Sequence, residues 1–225
     1  QACVISNNII QDFHSYGMYL YNLDSVVVSS NLISAKLTGG NSTQYGIYAR
    51  YCDNGSEFSK NNIRVYASTT NYGMYIYNCD GTSGDENHIV NNFVSTHYST
   101  GTSYGIYSYT NIYTNFYHNS VNITDGNSSS YAFYNYTGSY IVLKNNIFAN
   151  TQISGGYAIG NYNTSGISES DYNCLYTEGT YLGYWSGSKS TLANFRSASG
   201  KDANSVSVDP LYVSDTDLHA RANDI

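Results

Sequence analysis

Apolar and polar residues alternate over short stretches of this chain, and the stretches return at intervals of 26 to 32 residues. Each stretch holds a tyrosine, a small residue, an apolar residue and, in all but the last, a second tyrosine. The first tyrosines of this motif are Tyr16, Tyr45, Tyr72, Tyr104, Tyr131 and Tyr157. Alternation with a period of two residues is typical of β-strands. Its repetition predicts a solenoid, in which each coil buries its apolar face against its neighbours.

The apolar residue of each motif is expected to point into the solenoid. These inward residues are Met18, Ile47, Met74, Ile106, Phe133 and Ile159. Side chains of opposite parity point the other way, so the pattern predicts two outward columns. The columns are Tyr19, Tyr48, Tyr75, Tyr107 and Tyr134, and then Tyr21, Arg50, Tyr77, Tyr109 and Tyr136. The first tyrosines of the motif share the parity of the inward residues, which places them in the core or at a corner.

A second repeat runs in step with the first and consists of asparagines that precede an apolar residue, except at Asn119, where Ser120 stands before Val121. Its members are Asn8, Asn31, Asn62, Asn92, Asn119, Asn146 and Asn173. Asparagine tolerates the left-handed backbone of a sharp corner, and stacked asparagines hydrogen-bond amide to amide. We therefore expect one asparagine at the same corner of every coil. Three residues before these corners lies a further inward column formed by Ile5, Val28, Ile89, Phe116 and Leu143.

Strand-forming residues, asparagine corners and the short period together predict an all-β parallel β-helix of about seven coils. The coils are expected over residues 1–176, with a C-terminal coil and capping segment of the same domain over residues 177–225. A leucine-rich repeat needs a leucine framework that the chain lacks. A propeller needs antiparallel hairpins and a longer period, so a β-helix fits best.

Charge and composition limit the kinds of partner that this chain is expected to bind. The chain of 225 residues has 9 basic and 16 acidic residues, a net charge of −7 and only 11% charged residues. Nucleic acids and anionic membranes reward basic surfaces, so neither is expected as a partner. No apolar run is long enough to cross a membrane, and no signal peptide opens the chain. The first asparagine corner already stands at position 8, so we expect a piece of a larger secreted protein.

Doubled asparagines before an apolar residue, as in residues 145–150, resemble the coils of right-handed parallel β-helices of the pectate-lyase-like superfamily over about residues 1–176. The tail, with its segments 191–195, 200–205 and 209–213, looks like the closing segment of β-helix modules in large secreted surface proteins of the Bacteroidetes type. The resemblance implies a right-handed coil, a short helical turn at residues 192–195 that caps the rod, and a location at the cell surface. It implies no reaction, because a fold alone does not carry a function.

The sequence favours a module without catalytic residues. The aspartate and histidine motifs of polygalacturonan hydrolases are absent, and the basic residues do not recur at one coil position. Asp24, Asp53 and Asp80 are 29 and 27 residues apart, which predicts a column with a spacing of about 5 Å. The alternatives for this column are an acidic catalytic site, a bound Ca²⁺, or plain turn residues, since aspartate favours turns. No other cofactor or metal site is predicted.

Two cysteines are expected to stack on adjacent coils. Cys52 and Cys79 are 27 residues apart and each precedes an aspartate. The coil spacing of about 4.8 Å lies within the Cα separations that disulfides allow. In-register stacking would strain such a bond, so free thiols are favoured over a disulfide.

The tyrosine columns are the leading candidates for function, because tyrosine offers a large amphipathic surface at low entropic cost. One hypothesis is an adhesin, stalk or glycan-binding rod that meets a polysaccharide or another surface protein through these tyrosines. A polysaccharide lyase or hydrolase with an acidic site is the second. A structural unit of a filament or surface layer, including a homo-oligomer, is the third. A purely structural alternative also stands, in which the tyrosines stack on each other and stabilise the sheet.

Overall fold

Strands follow one another in groups of three in the computed structural model of the protein, which describes residues 3–36 and 43–221. The strands are numbered in chain order. Sheet A contains β1 (Val4–Ser6), β4 (Val27–Ser29), β7 (Glu57–Ser59), β10 (Asn87–Val90), β13 (Asn111–Tyr117), β16 (Gly138–Lys144) and β19 (Ile167–Asp171). Sheet B contains β2 (Ile9–Phe13), β5 (Leu32–Ala35), β8 (Asn62–Val65), β11 (Phe93–Thr96), β14 (Ser120–Ile123), β17 (Ile147–Asn150) and β20 (Cys174–Thr177). Sheet C contains β3 (Tyr16–Asp24), β6 (Gln44–Asp53), β9 (Asn71–Tyr77), β12 (Ser103–Tyr109), β15 (Tyr131–Asn135), β18 (Tyr157–Asn161), β21 (Gly183–Trp185) and β22 (Ser188–Lys189).

Each coil gives one strand to each sheet, and strands of successive coils pair in parallel. The exception is β22, which closes sheet C as an antiparallel partner of β21. The chain is therefore an all-β parallel β-helix of about seven turns, which confirms the predicted fold. The inward residues of the tyrosine motif and the column before the asparagine corners form one continuous core, in which Ile47, Ile106 and Phe116 are fully buried.

A ladder of asparagine side chains joins the coils at the corner between sheets A and B. The Nδ2 of each asparagine except the last donates to Oδ1 of the asparagine on the next coil at 2.9–3.0 Å. The backbone N–H of each of these six donates to the same oxygen. From the second coil onward, Nδ2 also donates to a backbone carbonyl on the preceding coil. The members are Asn8, Asn31, Asn61, Asn92, Asn119, Asn146 and Asn173.

The predicted ladder was wrong at its third step, where Asn61 and not Asn62 is the member. Asn61 is buried and bonds to both neighbours, whereas Asn62 is the first residue of β8 and pairs with Leu32 and Phe93 in sheet B. The corner therefore comes one residue earlier. With this correction Phe58 stands three residues before the ladder and fills the apolar column between Val28 and Ile89.

The left-handed backbone of the corner belongs to the residue before each ladder asparagine, and not to the asparagine itself. These residues have φ between 55° and 58°, and they are Asn7, Ser30, Lys60, Asn91, His118, Asn145 and Tyr172. Only three of the seven are asparagines, so tolerance of this conformation does not explain the repeat. The asparagine repeat is instead set by the side-chain hydrogen bonds of the next position.

The C-terminal end of the coil is closed by a short helix, as predicted. Helix α1 (Leu192–Ser199) begins at Thr191, whose side chain accepts the N–H of Asn194, and ends at the left-handed Gly200. Phe195 is fully buried and packs edge-on against Trp185 with ring centroids 5.7 Å apart. Its ring joins the core of the coils, so the helix covers apolar surface that the last coil would otherwise expose.

Beyond the helix the chain turns back and runs along sheet B toward the earlier coils. Val206 forms a parallel bridge with Cys174 on the seventh coil. Tyr212 is buried against Ala149 on the sixth coil, and His219 meets the ring of Phe93 on the fourth coil at 4.9 Å. This returning tail had no counterpart in the sequence prediction, and it covers part of the outer surface of sheet B.

Replacing Asn61 with alanine is expected to destabilise the protein by about 2–4 kcal/mol. The change leaves the N–H of Asn31 without its acceptor and the carbonyl of Val28 without its donor, both in the interior. Chemical denaturation of the purified protein measures the difference.

The adjacent Asn62→Ala variant is the matched control, since it removes the same atoms from a position outside the ladder. We expect it to cost less than about 0.5 kcal/mol. Equal losses in the two variants would contradict the assignment of the ladder to Asn61.

Candidate functional site: the tyrosine face of sheet C

The outer surface of sheet C carries three columns of tyrosine, and not the two that were predicted. The first tyrosines of the motif pair in register from coil to coil, as do the second ones. The first column is Tyr16, Tyr45, Tyr72, Tyr104, Tyr131 and Tyr157. The second column is Tyr19, Tyr48, Tyr75, Tyr107 and Tyr134. The third column is Tyr21, Arg50, Tyr77, Tyr109, Tyr136 and Tyr162. Together these columns form the tyrosine face.

The prediction that the first tyrosines lie in the core or at a corner was wrong, because the small residue of the motif breaks the strand alternation. Both Gly46 and Ile47 lie inside, so Tyr45 and Tyr48 emerge on the same outer surface. The close approach of the coils explains the small residue, since a Cβ added at Gly17 would lie 2.6 Å from the carbonyl oxygen of Gly46. A glycine inside a strand pattern signals such an irregularity, and this signal was available in the sequence.

Within each column the rings stack along the axis of the coil. Ring centroids are 4.8 Å apart for Tyr45 and Tyr72, with planes 3° from parallel. They are 4.9 Å apart for Tyr48 and Tyr75, with planes 6° from parallel. The columns also touch sideways, as Tyr45 and Tyr48 do at 5.2 Å. The structural interpretation of the tyrosines is therefore confirmed. Because the ring faces cover each other, the face presents ring edges and phenol hydroxyls to solvent.

Arg50 is the single charged residue of the tyrosine face. Its guanidinium lies 5.0 Å from the ring centroid of Tyr77 and 5.7 Å from that of Tyr21, its neighbours in the third column. The planar cation thus continues the stack through cation–π contacts. Its Nη2 also donates to the hydroxyl of Tyr51 at 3.4 Å, which lowers the pKa of that phenol. The column accordingly tolerates one cation without an ion pair.

Burial keeps the phenols of the inner coils neutral. It raises the pKa of Tyr72, Tyr75, Tyr107 and Tyr131 above the ordinary value, and repulsion from neighbouring phenols adds to this effect. On the first coil the rings are more open, and Tyr19 is 50% exposed. The face therefore offers uncharged hydroxyls, able both to donate and to accept, throughout the physiological pH range.

The aspartate column is present, but its carboxylates are engaged by the coils. Asp24 and Asp53 are in register. Asp53 Oδ1 accepts the N–H of Asp80 at 2.7 Å, and Asp80 Oδ1 accepts the N–H of Ile112 at 3.0 Å. Burial raises the pKa of both Asp53 and Asp80. In residues 3–36 and 43–221, no group of three or more histidine, cysteine or acidic side chains is arranged to hold a metal ion. Ca²⁺ binding and acidic catalysis at this column stay predictions.

Cys52 and Cys79 stack on adjacent coils as predicted, and both are free thiols. The N–H of Cys52 donates to Sγ of Cys79 at 3.3 Å. Both side chains are fully buried, and burial raises the pKa of the Cys79 thiol. The pair is therefore part of the core, consistent with the preference for free thiols over a disulfide.

Comparison with models of protein families, with curated proteins and with solved structures gives no match to this chain. No match therefore supports the pectate-lyase-like superfamily or the Bacteroidetes type, and what the structure shows is a parallel β-helix of about seven turns. Among the described residues, no helix is long and apolar enough to span a membrane.

Alkaline pH is expected to destabilise the protein progressively above about pH 10, the ordinary pKa of tyrosine. The folded state holds the phenols of Tyr72, Tyr75, Tyr107 and Tyr131 protonated where the unfolded chain has released those protons. Since the folded state then binds more protons, its stability falls as pH rises. The unfolding temperature and the phenolate absorbance, followed together from about pH 8 to pH 12, measure the effect.

Combining Tyr75→Phe with Tyr107→Phe should reduce this loss of stability at alkaline pH, because it removes two of the phenols whose pKa is raised. Tyr51→Phe is the control, because the pKa of Tyr51 is lowered and its removal should not reduce the loss. An alkaline loss that is the same in all three proteins would contradict the explanation.

Proposed function

We propose that this chain is a non-catalytic module of an extracellular surface protein, and that its tyrosine face binds an extended, uncharged glycan. The observation that carries the proposal is the tyrosine face itself, in which sixteen tyrosines and one arginine stand in register on one sheet. Mutual stacking accounts for the ring faces. It does not account for the rows of hydroxyls that the same rings present to solvent.

The chemistry of the face suits a neutral carbohydrate. Its hydroxyls both donate and accept hydrogen bonds, and the ring edges offer apolar contact beside them. The rings are already held by their neighbours, so little conformational entropy remains to be lost on binding. Only Arg50 carries charge, which disfavours phosphate-rich partners that need many basic contacts.

Periodicity also favours a polymer over a compact ligand. The same groups recur on the tyrosine face at each coil, with a spacing of about 5 Å. An extended polysaccharide likewise presents the same hydroxyls at each repeat of its sugar units. Several weak contacts along one chain then add up through multivalency.

The returning tail lies on sheet B and leaves the tyrosine face half-buried to exposed. A surface location is supported by the resemblance of the repeats and tail to secreted surface modules of the Bacteroidetes type. In that setting the rod acts as an adhesin or stalk of a larger protein.

Replacing Tyr75, Tyr107 and Tyr134 with phenylalanine is expected to weaken glycan binding about tenfold to a thousandfold. The change removes three hydroxyls, each worth roughly 0.5–1.5 kcal/mol when hydrogen-bonded, and preserves the stacked rings. The measurement is a glycan array probed with the wild-type protein, followed by calorimetry with the best-bound oligosaccharide. Enzymatic turnover of the bound glycan would contradict the non-catalytic part of the proposal.

The control replaces Tyr113 and Tyr140 with phenylalanine. These rings stack at 4.3 Å but lie outside the three columns, so their hydroxyls should not matter. A wild-type protein that binds no glycan, or a triple variant that binds as well as the wild type, would overturn the role of the tyrosine face.

A further inference from the structure

A second surface of the molecule has the features of a binding site and is separate from the tyrosine face. Where the returning tail crosses the end of sheet B, it forms one side of an open cavity of about 550 Å³. Small-molecule sites in proteins are commonly of about this size. The coils contribute Tyr66, His97, Tyr98, Thr124 and Asp125, and the tail contributes Asp215 opposite them.

Aromatic rings form one wall of the cavity. Tyr66 is buried and stacks on the imidazole of His97, with ring centroids 5.2 Å apart. Tyr98 follows at 6.0 Å from Tyr66 and is 61% exposed. Much of the surface of the Tyr98 ring is therefore open beside the cavity. The rings of the tyrosine face, in contrast, cover each other.

The imidazole of His97 has an unused polar atom. The ring is only 5% exposed, and its Nδ1 lies 2.8 Å from the hydroxyl of Thr124. Its Nε2 is buried without a hydrogen-bond partner. In one tautomer of the imidazole this nitrogen is a hydrogen-bond donor and in the other it is an acceptor, and in both cases it has no partner. Burial lowers the pKa of His97, so the ring is neutral near pH 7. Buried polar atoms are nearly always paired, and an unpaired one beside a cavity points to a missing ligand or to water.

Two carboxylates face the same space from different parts of the chain. Asp125 accepts the N–H of Tyr98 through Oδ2 at 3.1 Å, and Asp215 lies on the tail. Carboxylates only accept hydrogen bonds, so a matching ligand must be rich in donors. The positive charge of Arg64 also acts on His97 and Tyr66, and it opposes part of the field of the two aspartates. The exposed ring of Tyr98 beside these acceptors favours a ligand that combines hydrogen-bond donors with an apolar face.

We infer that this cavity binds a neutral saccharide unit. The hydroxyls of the sugar donate to Asp125 and Asp215, and its apolar C–H face packs on the ring of Tyr98. A sugar is rich in donors and apolar on one face, which are the two properties that the carboxylates and the exposed ring of Tyr98 call for. The site goes beyond the proposed function of the tyrosine face and uses none of its residues.

The test is ligand-observed NMR of the full chain with the methyl glycosides of glucose, galactose and mannose and with N-acetylglucosamine as probes. At least one probe should bind, and binding should fall at least tenfold in both Tyr98→Ala and Asp215→Asn. The matched control is Tyr172→Ala, because Tyr172 is equally exposed and has the same left-handed backbone but lies outside the cavity. This control should bind the probe as the wild type does.

Three results would overturn the inference: no binding of any probe, binding that survives both cavity variants, or equal loss in the Tyr172→Ala control. Ethanolammonium is included as a cationic probe, and its binding in place of the sugars would also overturn it. The phenylalanine triple variant of the tyrosine face should keep the sugar bound in the cavity. Failure of one site is thereby distinguishable from failure of the other.

Discussion

The asparagine ladder is the interaction on which the rest of this structure depends. An inner member such as Asn92 donates from its side-chain amide and its backbone N–H to the asparagine on the next coil. Its side-chain amide also donates to a backbone carbonyl on the preceding coil. The ladder therefore fixes both the spacing and the register of the coils at one corner. Successive members are 30 and 31 residues apart around Asn61 and 27 apart from Asn92 onward. The tyrosines of sheet C nevertheless pair in register from coil to coil.

Register at one corner creates the tyrosine face at another. Rings stack at 4.8–5.0 Å only if the coils keep their register. The stacking in turn stabilises the coils, because it covers the apolar faces of the rings. The same stacking limits what the face can do chemically. A platform of open ring faces, as in many carbohydrate sites, is not available there. What remains is a regular array of edges and hydroxyls that burial keeps neutral.

Local periodicity predicted much of this molecule, and its failures have physical causes. The inward column and the stacked cysteines follow from spacing alone, whereas the capping helix was implied by the resemblance of the tail. Asn61 and Asn62 are chemically identical, so only the position of Phe58 distinguishes them, three residues before the true corner. The outward direction of Tyr45 depends on Gly46, which lies inside together with Ile47 and so interrupts the alternation. The returning tail has no repeat at all. Its position is set by contacts such as Tyr212 with Ala149, which lie far apart in sequence.

The returning tail interrupts the repeat of the coils. A binding site that occurs at one level of the solenoid only requires such an interruption. A solenoid alone offers the same surface at every turn, which suits a polymer but not a single small molecule. By crossing sheet B, the tail brings Asp215 opposite Asp125 and His97 at one level of the rod only. The periodic tyrosine face and the cavity beside the tail are thus two consequences of one architecture. If both proposals hold, the rod contacts the length of a glycan on one surface and a single sugar unit on another.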